Sequence, residues 1–340
     1  MKTSDFDYEL PPELIAQEPI EPRDASRLLV LDRSKQSRQH RVFRDLLQYL
    51  NPDDLLVVNR SRVVPARLFA KKLPGDGKVE LLLLERLDGG QWKTLVGGKG
   101  LTIGTKIKLE NGMLGEITRD LGGPQRLVVF DRNLDASLSS LGQVPLPPYI
   151  HTSLADPERY QTVYAKESGS SAAPTAGLHF TPELLDHLSR NGIPVAEITL
   201  HIGLDTFAPV NEDDPGEHKI HTEWCQLSEE TAGQVNATKR NGGKVVAVGT
   251  TSVRVLETAA RLASGGNTVF PFEGRTELYI LPGFEFNVVD RLLTNFHLPR
   301  STLLMLVSAF AGRELILDTY REAIAEKYRF YSFGDAMLIL

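Results

Sequence analysis

The sequence offers little from which a disulfide framework or a membrane span could be built. Cys225 is the only cysteine among 340 residues, which excludes an intrachain disulfide and favours a reducing compartment. The longest apolar stretches, such as 301–311, fall well short of the roughly 20 residues that span a bilayer. The first ten residues include Asp5, Asp7 and Glu9 and no apolar run, so we expect no signal peptide there. We therefore expect a soluble, cytoplasmic protein without a membrane partner.

Several common functional motifs are also missing. The chain has no Gly-x-x-x-x-Gly-Lys-Ser/Thr loop, and the glycines of 97–104 have neither the spacing nor the following helix of a dinucleotide-binding turn. It has no Gly-x-Ser-x-Gly nucleophile elbow and no internal repeat. These absences argue against P-loop nucleotidases, dinucleotide-binding enzymes, α/β-hydrolases and solenoids.

The charge balance is acidic overall but basic near the start. With 38 basic and 44 acidic residues the net charge is −6, which argues against unspecific binding of nucleic acid. An RNA partner would have to meet a local basic face, and basic residues are dense in the first 72 positions. The alternative is that these are ordinary solvated charges. The residues concerned are Arg23, Arg27, Arg33, Lys35, Arg38, Arg41, Arg44, Arg60, Arg62, Arg67, Lys71 and Lys72.

Short strands separated by tight turns occupy the region from Leu68 to Phe130. The Asn111-Gly112 pair between two such segments is a strong hairpin signal. Five or so short strands without a helix predict a small β-barrel. The predicted strands are 78–84, 92–96, 105–109, 114–118 and 126–130.

On both sides of this region the pattern alternates between strands and helices, which predicts an α/β layered domain. Thr181-Pro182-Glu183 is typical of a helix start, and Asn191-Gly192 of a helix end. We predict a discontinuous α/β catalytic domain of residues 1–67 and 150–340 with an inserted all-β barrel domain of residues 68–149. Further strands are predicted at 55–58, 195–201, 244–248, 278–281 and 336–340, and helices at 253–263, 301–311 and 314–328.

Three loops at strand ends are rich in groups that bind ligands. In the first, 248–254, a strand, a tight turn and a helix start present free N–H groups and hydroxyls, which suits a carboxylate or phosphate; plain capping by Thr251 or Ser252 is the alternative. In the second, 172–181, His179 is either a general acid or base or a histidine at the core edge. The third, 293–302, places Asn295 and His297 before a hydrophobic helix.

A metal site is a weaker alternative. His218, His221 and Cys225 have side chains that bind zinc, but the usual paired cysteines or His-Glu-x-x-His context is missing. We therefore predict no metal, and a metal-dependent hydrolase is the rival enzyme class. The rival outside enzymes is an RNA-binding module without chemistry.

Blocks along the whole chain resemble the S-adenosylmethionine:tRNA ribosyltransferase-isomerase family. The resemblance is carried by long, particular motifs in the same order. They are 6–11 (FDYELP), 23–28 (RDASRL), 65–68 (PARL), 160–165 (YQTVYA), 173–181 (APTAGLHFT), 200–203 (LHIG), 249–254 (GTTSVR), 294–299 (TNFHLP), 328–330 (YRF) and 334–337 (GDAM).

This resemblance implies a tRNA-modifying enzyme. Members transfer and isomerise the ribosyl part of S-adenosylmethionine onto 7-aminomethyl-7-deazaguanine at the tRNA wobble position, giving epoxyqueuosine and releasing adenine and methionine. S-adenosylmethionine is then a consumed co-substrate, and no cofactor is bound permanently. We expect a monomer that binds the anticodon loop of the tRNA.

Roles follow from motif position and from the needs of that reaction. His179 and His297 are the predicted acid/base pair. Gly249, Thr250, Thr251 and Ser252 are expected to hold the methionine carboxylate with help from Arg254, and Thr175 and Asn295 to hold ribose hydroxyls or adenine. The predicted tRNA-binding residues are Arg23, Arg27, Arg60, Arg62 and Arg67. For Tyr160, Tyr164 and Phe180, base stacking and core packing both stay open.

Overall fold

The computed structural model describes residues 1–87, 90–203, 209–263 and 266–340. The chain divides into two compact units. The first consists of Met1–Arg62 and Pro147–Leu340, and the second of Val63–Leu146. Strands β1–β17 and helices α1–α6 are numbered along the chain.

The described residues of the larger unit contain a nine-stranded mixed sheet, in the order β15-β13-β12-β3-β14-β16-β17-β1-β2. Strands β12, β3, β14 and β16 are parallel to each other. Strand β17 is antiparallel to β16, and β1 is parallel to β17. The strands are β1 Arg27–Asp32, β2 Ser37–Val42, β3 Leu55–Asn59, β12 Val195–Leu200, β13 Glu223–Leu227, β14 Val245–Val248, β15 Phe272–Thr276, β16 Arg291–Asn295 and β17 Ala336–Ile339. A separate pair consists of β4 Ser61–Val63 and β11 Glu167–Ser170.

The central strands are apolar on both sides because both faces of the sheet are covered. In β3, Leu55 and Val57 belong to one buried cluster, whereas Leu56 and Val58 belong to another. The first cluster includes residues of α3 Glu229–Arg240, α4 Thr250–Leu262, α5 Thr302–Ala311 and α6 Arg313–Ala325. The second includes residues of α2 Pro182–Arg190 and of the 3-10 helices Phe43–Tyr49 and Thr175–His179. This is an α/β layered architecture.

In the smaller unit, the described residues form a closed six-stranded barrel in the order β10-β7-β6-β5-β8-β9. Alternate residues point inward, so that Leu68, Leu81, Ile107 and Ile117 fill its core. Its elements are β5 Arg67–Leu73, β6 Lys78–Arg86, β7 Gln91–Gly97, β8 Lys106–Leu109, β9 Leu114–Gly122, β10 Gln125–Phe130 and the short helix α1 Leu138–Leu141.

The fold class predicted from the sequence is confirmed, as are the five barrel strands. Gly112 has a φ of +81° in the β8–β9 turn, which is the backbone conformation that the Asn-Gly pair favours. Thr181 caps α2 by accepting a hydrogen bond from the N–H of Leu184 at 3.1 Å. None of the helices in the described ranges combines the length and apolar character needed to cross a membrane.

The predicted strand 278–281 is wrong. The strand lies earlier, at Phe272–Thr276, where β15 pairs with β13 at the sheet edge. The main-chain groups of Leu278 form hydrogen bonds with side chains and not with a neighbouring strand. The Leu278 N–H donates to Thr276 Oγ1 at 3.2 Å, and the Leu278 carbonyl accepts from Arg254 Nε at 3.1 Å. The apolar run therefore packs on the core without joining the ladder.

We predict that the fully buried Glu257 of α4 is essential for holding the segment before β16. Its Oε2 accepts from the N–H of Asn287 at 2.9 Å, and its Oε1 from the N–H groups of Val288 and Val289 at 3.0 Å. In Glu257→Gln, the side-chain NH2 group replaces one carboxylate oxygen and faces backbone N–H groups, so at least one N–H loses its acceptor. The variant should lower the free energy of unfolding by about 2 kcal/mol, measured by chemical denaturation. Glu285→Gln, at an exposed position in the preceding loop, should change it little. Equal stability of the two variants would contradict this role.

Candidate active site

The polar loops predicted from the sequence meet at one edge of the nine-stranded sheet. Strands β3, β12, β14 and β16 end there, at Asn59, Leu200, Val248 and Asn295. Because β1 and β17 run in the opposite direction, they begin at the same edge. Ligands of open α/β sheets bind beyond the carboxyl ends of such strands, so this edge is the first place to look for a site.

The turn from β14 into α4 presents an uncapped helix N-terminus. Gly249 takes a φ of +85°, which a residue with a Cβ rarely adopts, and no side chain caps the helix. The first backbone N–H groups of α4 have no partner within the helix and carry the positive end of its dipole. Thr251 Oγ1 is buried and has no hydrogen-bond partner in the described residues. The turn can therefore accept an anion.

Ser252 does not belong to the ligand-facing part of this turn. Its hydroxyl donates to the carbonyl of Val248 at 2.8 Å, and the side chain is fully buried. Neither Thr251 nor Ser252 caps the helix, so the capping alternative is wrong: the Ser252 hydroxyl binds a carbonyl of the preceding strand, and Thr251 Oγ1 has no partner in the described residues.

A small cleft lies in front of this helix start. Most of its lining comes from the α4 turn, the Pro174-Thr175-Ala176 stretch that begins a 3-10 helix, and the end of β16 with the loop that carries His297. The polar lining includes Thr175, Gly249, Thr250, Thr251, Thr294 and His297. The structure thus brings together five of the residues predicted from three separate motifs.

His297 is held from both ends and is buried. Its Nε2 lies 2.8 Å from Thr294 Oγ1, its backbone N–H donates to the Tyr320 hydroxyl at 2.9 Å, and the Tyr8 hydroxyl donates to its carbonyl. Burial lowers its pKa to about 3. The imidazole is therefore neutral at physiological pH, with Nδ1 free of any hydrogen bond in the described residues.

His179 has both ring nitrogens engaged. The amide nitrogen of Asn295 donates to the carbonyl of Tyr331 at 3.1 Å, which fixes the orientation of that amide, and lies 3.2 Å from His179 Nε2. Nε2 is therefore the acceptor, and Nδ1 donates to Ser26 Oγ at 2.8 Å. The ring also stacks on Phe43, with centroids 4.8 Å apart.

Burial and two neighbouring positive charges keep His179 neutral. Burial is the main reason why its pKa falls to about 3, followed by the charges of Arg329 and Arg23. His179 lines a separate small pocket together with Arg23, Leu178 and Phe333. Asn295 lies beside this pocket through its contact with His179, does not line the cleft in front of α4, and has its Oδ1 buried without a partner in the described residues.

Arg254 points away from the turn that it follows. Its buried guanidinium forms an ion pair with Glu223, whose Oε1 accepts from the N–H of Gly203 at 2.8 Å. Both residues line a second small cleft with His218, His221 and Tyr279. Leu303 lines this cleft and the first one, so the two are neighbours.

The described residues contain no cluster of three or more His, Cys, Asp or Glu side chains that could hold a metal ion. His218 Nδ1 pairs with Glu212 at 2.9 Å. Cys225 is buried, and burial raises the pKa of its thiol to about 11, which opposes the thiolate form that binds zinc.

The five predicted tRNA-binding arginines all have protein partners. Arg23 donates to the carbonyls of Gln161, Leu178 and Glu158, and Arg27 donates to the carbonyl of Glu326 and stacks on Tyr328. Ion pairs join Arg60 to Glu167 and Glu197, Arg62 to Glu158, and Arg67 to Glu80. Arg67 lies in the barrel unit, and the other four lie in the larger unit.

Tyr160, Tyr164 and Phe180 are buried in the core, at 0%, 9% and 0% exposure, so core packing is the correct reading of the two that the sequence left open. Sequence reasoning missed Tyr8, Ser26 and Tyr331, which support the two histidines. Ser26 and Tyr8 lie in the motifs 23–28 and 6–11, so the signal was present, but only the fold shows what these side chains touch.

Comparisons with known proteins agree over the whole chain. Residues 3–339 match the family described as queuosine biosynthesis protein. S-adenosylmethionine:tRNA ribosyltransferase-isomerases of Symbiobacterium thermophilum and Thermotoga maritima are 55% and 52% identical, with 100% of each chain covered. A crystal structure of S-adenosylmethionine tRNA ribosyltransferase from Thermotoga maritima is similar at a TM-score of 0.58 and 44% identity, covering 99% of this chain and 100% of that one.

Because two histidines are buried in the neutral form, we predict that the free energy of unfolding decreases as the pH is lowered. Both pKa values lie near 3 in the folded state, whereas a histidine in an unfolded chain titrates near about 6.5. Between these values the unfolded chain binds more protons, so stability is lost as the pH falls below about 6.5. From pH 7 to pH 5 we expect a loss of about 2 kcal/mol for each histidine, measured by chemical denaturation.

Two variants test whether these histidines cause the dependence of the free energy of unfolding on pH. His297→Gln should remove about half of the loss, whereas the exposed control His187→Gln on α2 should keep the wild-type slope. The same slope in His297→Gln as in the wild type would mean that other groups cause the pH dependence.

Proposed function

Because the chain belongs to the queuosine biosynthesis protein family, we propose that it transfers and isomerises the ribosyl moiety of S-adenosylmethionine onto 7-aminomethyl-7-deazaguanine at the wobble position of a tRNA. The product is epoxyqueuosine, and adenine and methionine are released. The observation that carries the proposal at the level of the site is the cleft in which a free helix N-terminus faces a neutral histidine. S-adenosylmethionine is consumed as a co-substrate, and the reaction needs no resident cofactor.

The α4 turn is the proposed site of the methionine carboxylate. The first N–H groups of α4 and the unpartnered hydroxyl of Thr251 offer several donors to one anion. Gly249 allows the backbone to approach closely. Ser252 supports the turn through Val248, and Arg254 acts from the neighbouring cleft through its ion pair with Glu223.

Proton transfer is assigned to His297. The reaction requires removal of a proton from the carbon beside the sulfonium, and His297 lines the cleft with its Nδ1 free of any hydrogen bond in the described residues. A protonated histidine at this place would also repel the sulfonium cation. His179 was predicted as the second member of an acid/base pair. With both nitrogens engaged, its proposed role is to orient Asn295.

Asn295 and Thr175 are the proposed contacts for ribose hydroxyls or adenine. The buried Oδ1 of Asn295 is an acceptor without a partner in the described residues, and a buried acceptor costs about 1–3 kcal/mol until a donor reaches it. Thr175, in the 3-10 helix, lines the cleft in front of α4.

The tRNA is proposed to bind through its anticodon loop, with Arg60 and Arg62 as the strongest of the five predicted contacts in the larger unit. Their partners Glu167 and Glu158 are exposed by 53% and 61%, so these ion pairs are weak and a phosphate can replace them. Arg23 binds the carbonyl of Leu178 beside His179, and Arg27 binds the carbonyl of Glu326 at the end of α6. Arg67 is retained as a contact from the barrel unit. We propose that the enzyme works as a monomer in the cytoplasm.

Adenine release tests the function directly. We expect the protein to release adenine from S-adenosylmethionine only when tRNA carrying the aminomethyl-deazaguanine base is present, with a mass gain on that nucleoside. Chromatography of the small molecules and mass spectrometry of the digested tRNA measure the two products. No adenine under any condition would favour an RNA-binding module without chemistry, and loss of activity with a strong chelator would favour a metal enzyme.

The role of His297 has a separate test. His297→Ala should lower the single-turnover rate of adenine release by roughly 10²–10⁴-fold while S-adenosylmethionine still binds, because the proton-transfer group is lost and the carboxylate site is kept. His187→Ala on the exposed face of α2 is the matched control and should react at the wild-type rate. A His297→Ala variant with the full rate would remove this residue from the mechanism.

A further inference from the structure

The barrel unit carries the opposite charge from the rest of the chain. Residues 63–146 contain twelve lysines and arginines and nine aspartates and glutamates, a formal net charge of +3. Since the whole chain has a net charge of −6, the remainder carries −9. A positive module on an acidic protein is the distribution expected when one unit meets a polyanion.

Three lysines of the barrel stand in one row across neighbouring strands. Lys71 of β5 is directly opposite Lys78 of β6 on one side and Lys108 of β8 on the other. Residues directly opposite each other share a face of the sheet and place their Cβ atoms about 5 Å apart. All three are exposed, while the alternate residues Ala70, Val79 and Leu109 are buried in the barrel core. We call Lys71, Lys78 and Lys108 the lysine row.

This arrangement costs stability. Like charges directly opposite each other in a sheet repel, and Lys71 has such a neighbour on both sides. In the described part of the chain, Lys71 has one ion pair, with Asp76 at 3.3 Å, and both side chains are largely exposed, so the pair is weak. Lys78 and Lys108 have no carboxylate within ion-pair distance among these residues. The repulsion is left largely uncompensated inside the protein, which points to a partner that supplies negative charge.

We propose that the lysine row binds the phosphate backbone of the tRNA, an inference that rests on the proposed function. A regular row of positive charges on a rigid sheet matches a regular row of phosphates, and such contacts fix position without reading sequence. The aromatic ring of Phe69, two residues from Lys71 on the same outer face, is 43% exposed and adds an apolar surface beside the row. The barrel thus contributes to tRNA affinity, and the cleft at the edge of the large sheet contributes the chemistry.

The test compares two triple variants with the same change in charge. Lys71→Ala with Lys78→Ala and Lys108→Ala removes the row. Lys93→Ala with Arg119→Ala and Arg132→Ala removes three charges from β7, β9 and the residues after β10, the other half of the closed barrel. Both are measured as full-length proteins against unmodified tRNA over a range of salt concentrations.

We expect the row variant to bind tRNA on the order of tenfold or more weakly, and to reduce the slope of log affinity against log salt by about 3, one for each phosphate that a lysine no longer neutralises. The control variant should keep the wild-type slope. With modified tRNA the row variant should raise KM for tRNA and leave kcat of adenine release unchanged. Its thermal unfolding temperature should equal or exceed that of the wild type, because the repulsion is removed.

Wild-type affinity and slope in the row variant would overturn the inference, as would an equal loss in both triple variants. Binding of the wild type to phosphatidylserine vesicles, lost in the row variant while tRNA binding is unchanged, would assign the row to a lipid surface instead. Failure of the wild type to bind tRNA at all would contradict the proposed function itself, so the two claims fail separately.

Discussion

A buried chain of hydrogen bonds from Ser26 through His179 and Asn295 to the carbonyl of Tyr331 holds the edge of the sheet on which the site depends. Its members lie before β1, at the end of a 3-10 helix, at the end of β16 and before β17, so segments distant in sequence are fixed to one another. Because every member of this hydrogen-bond chain is buried, loss of one leaves another polar group without a partner, at a cost of about 1–3 kcal/mol.

The burial of these groups determines which charges the sheet edge presents to a ligand. Burial keeps both histidines neutral, so the site presents no positive imidazole to a sulfonium, while the start of α4 supplies positive potential at one defined place. Two of the buried polar atoms that have no hydrogen-bond partner among the described residues, Thr251 Oγ1 and Asn295 Oδ1, lie at this sheet edge and leave a donor and an acceptor for a ligand. Buried polar atoms without hydrogen-bond partners therefore lie near the place where the co-substrate is proposed to bind, as is common at functional sites.

Local sequence signals predicted much of the fold. They did not predict which strands pair or which side chains meet across the fold. The Asn111-Gly112 turn and the Thr181 cap are local, so the hairpin and the start of α2 were read correctly. The run 278–281 misled because its apolar residues pack on the core while side chains bind the Leu278 backbone. In the candidate site, motif position predicted Thr251, Asn295 and His297, and the structure places Thr251 and His297 on the cleft in front of α4. That His179 has both nitrogens engaged, and that Arg254 faces Glu223, depends on contacts across the fold that no local pattern reveals.

The most direct test of the site is a comparison of S-adenosylmethionine with its decarboxylated analogue. Titration calorimetry would measure the binding of both ligands to the wild type and to Thr251→Val, which keeps the shape of the side chain and removes its hydroxyl. If the start of α4 holds the carboxylate, the variant should bind S-adenosylmethionine about 10- to 100-fold more weakly and the analogue as the wild type does. The assignment of the carboxylate to this turn would be contradicted if Thr251→Val bound both ligands equally more weakly, or if it bound both with wild-type affinity.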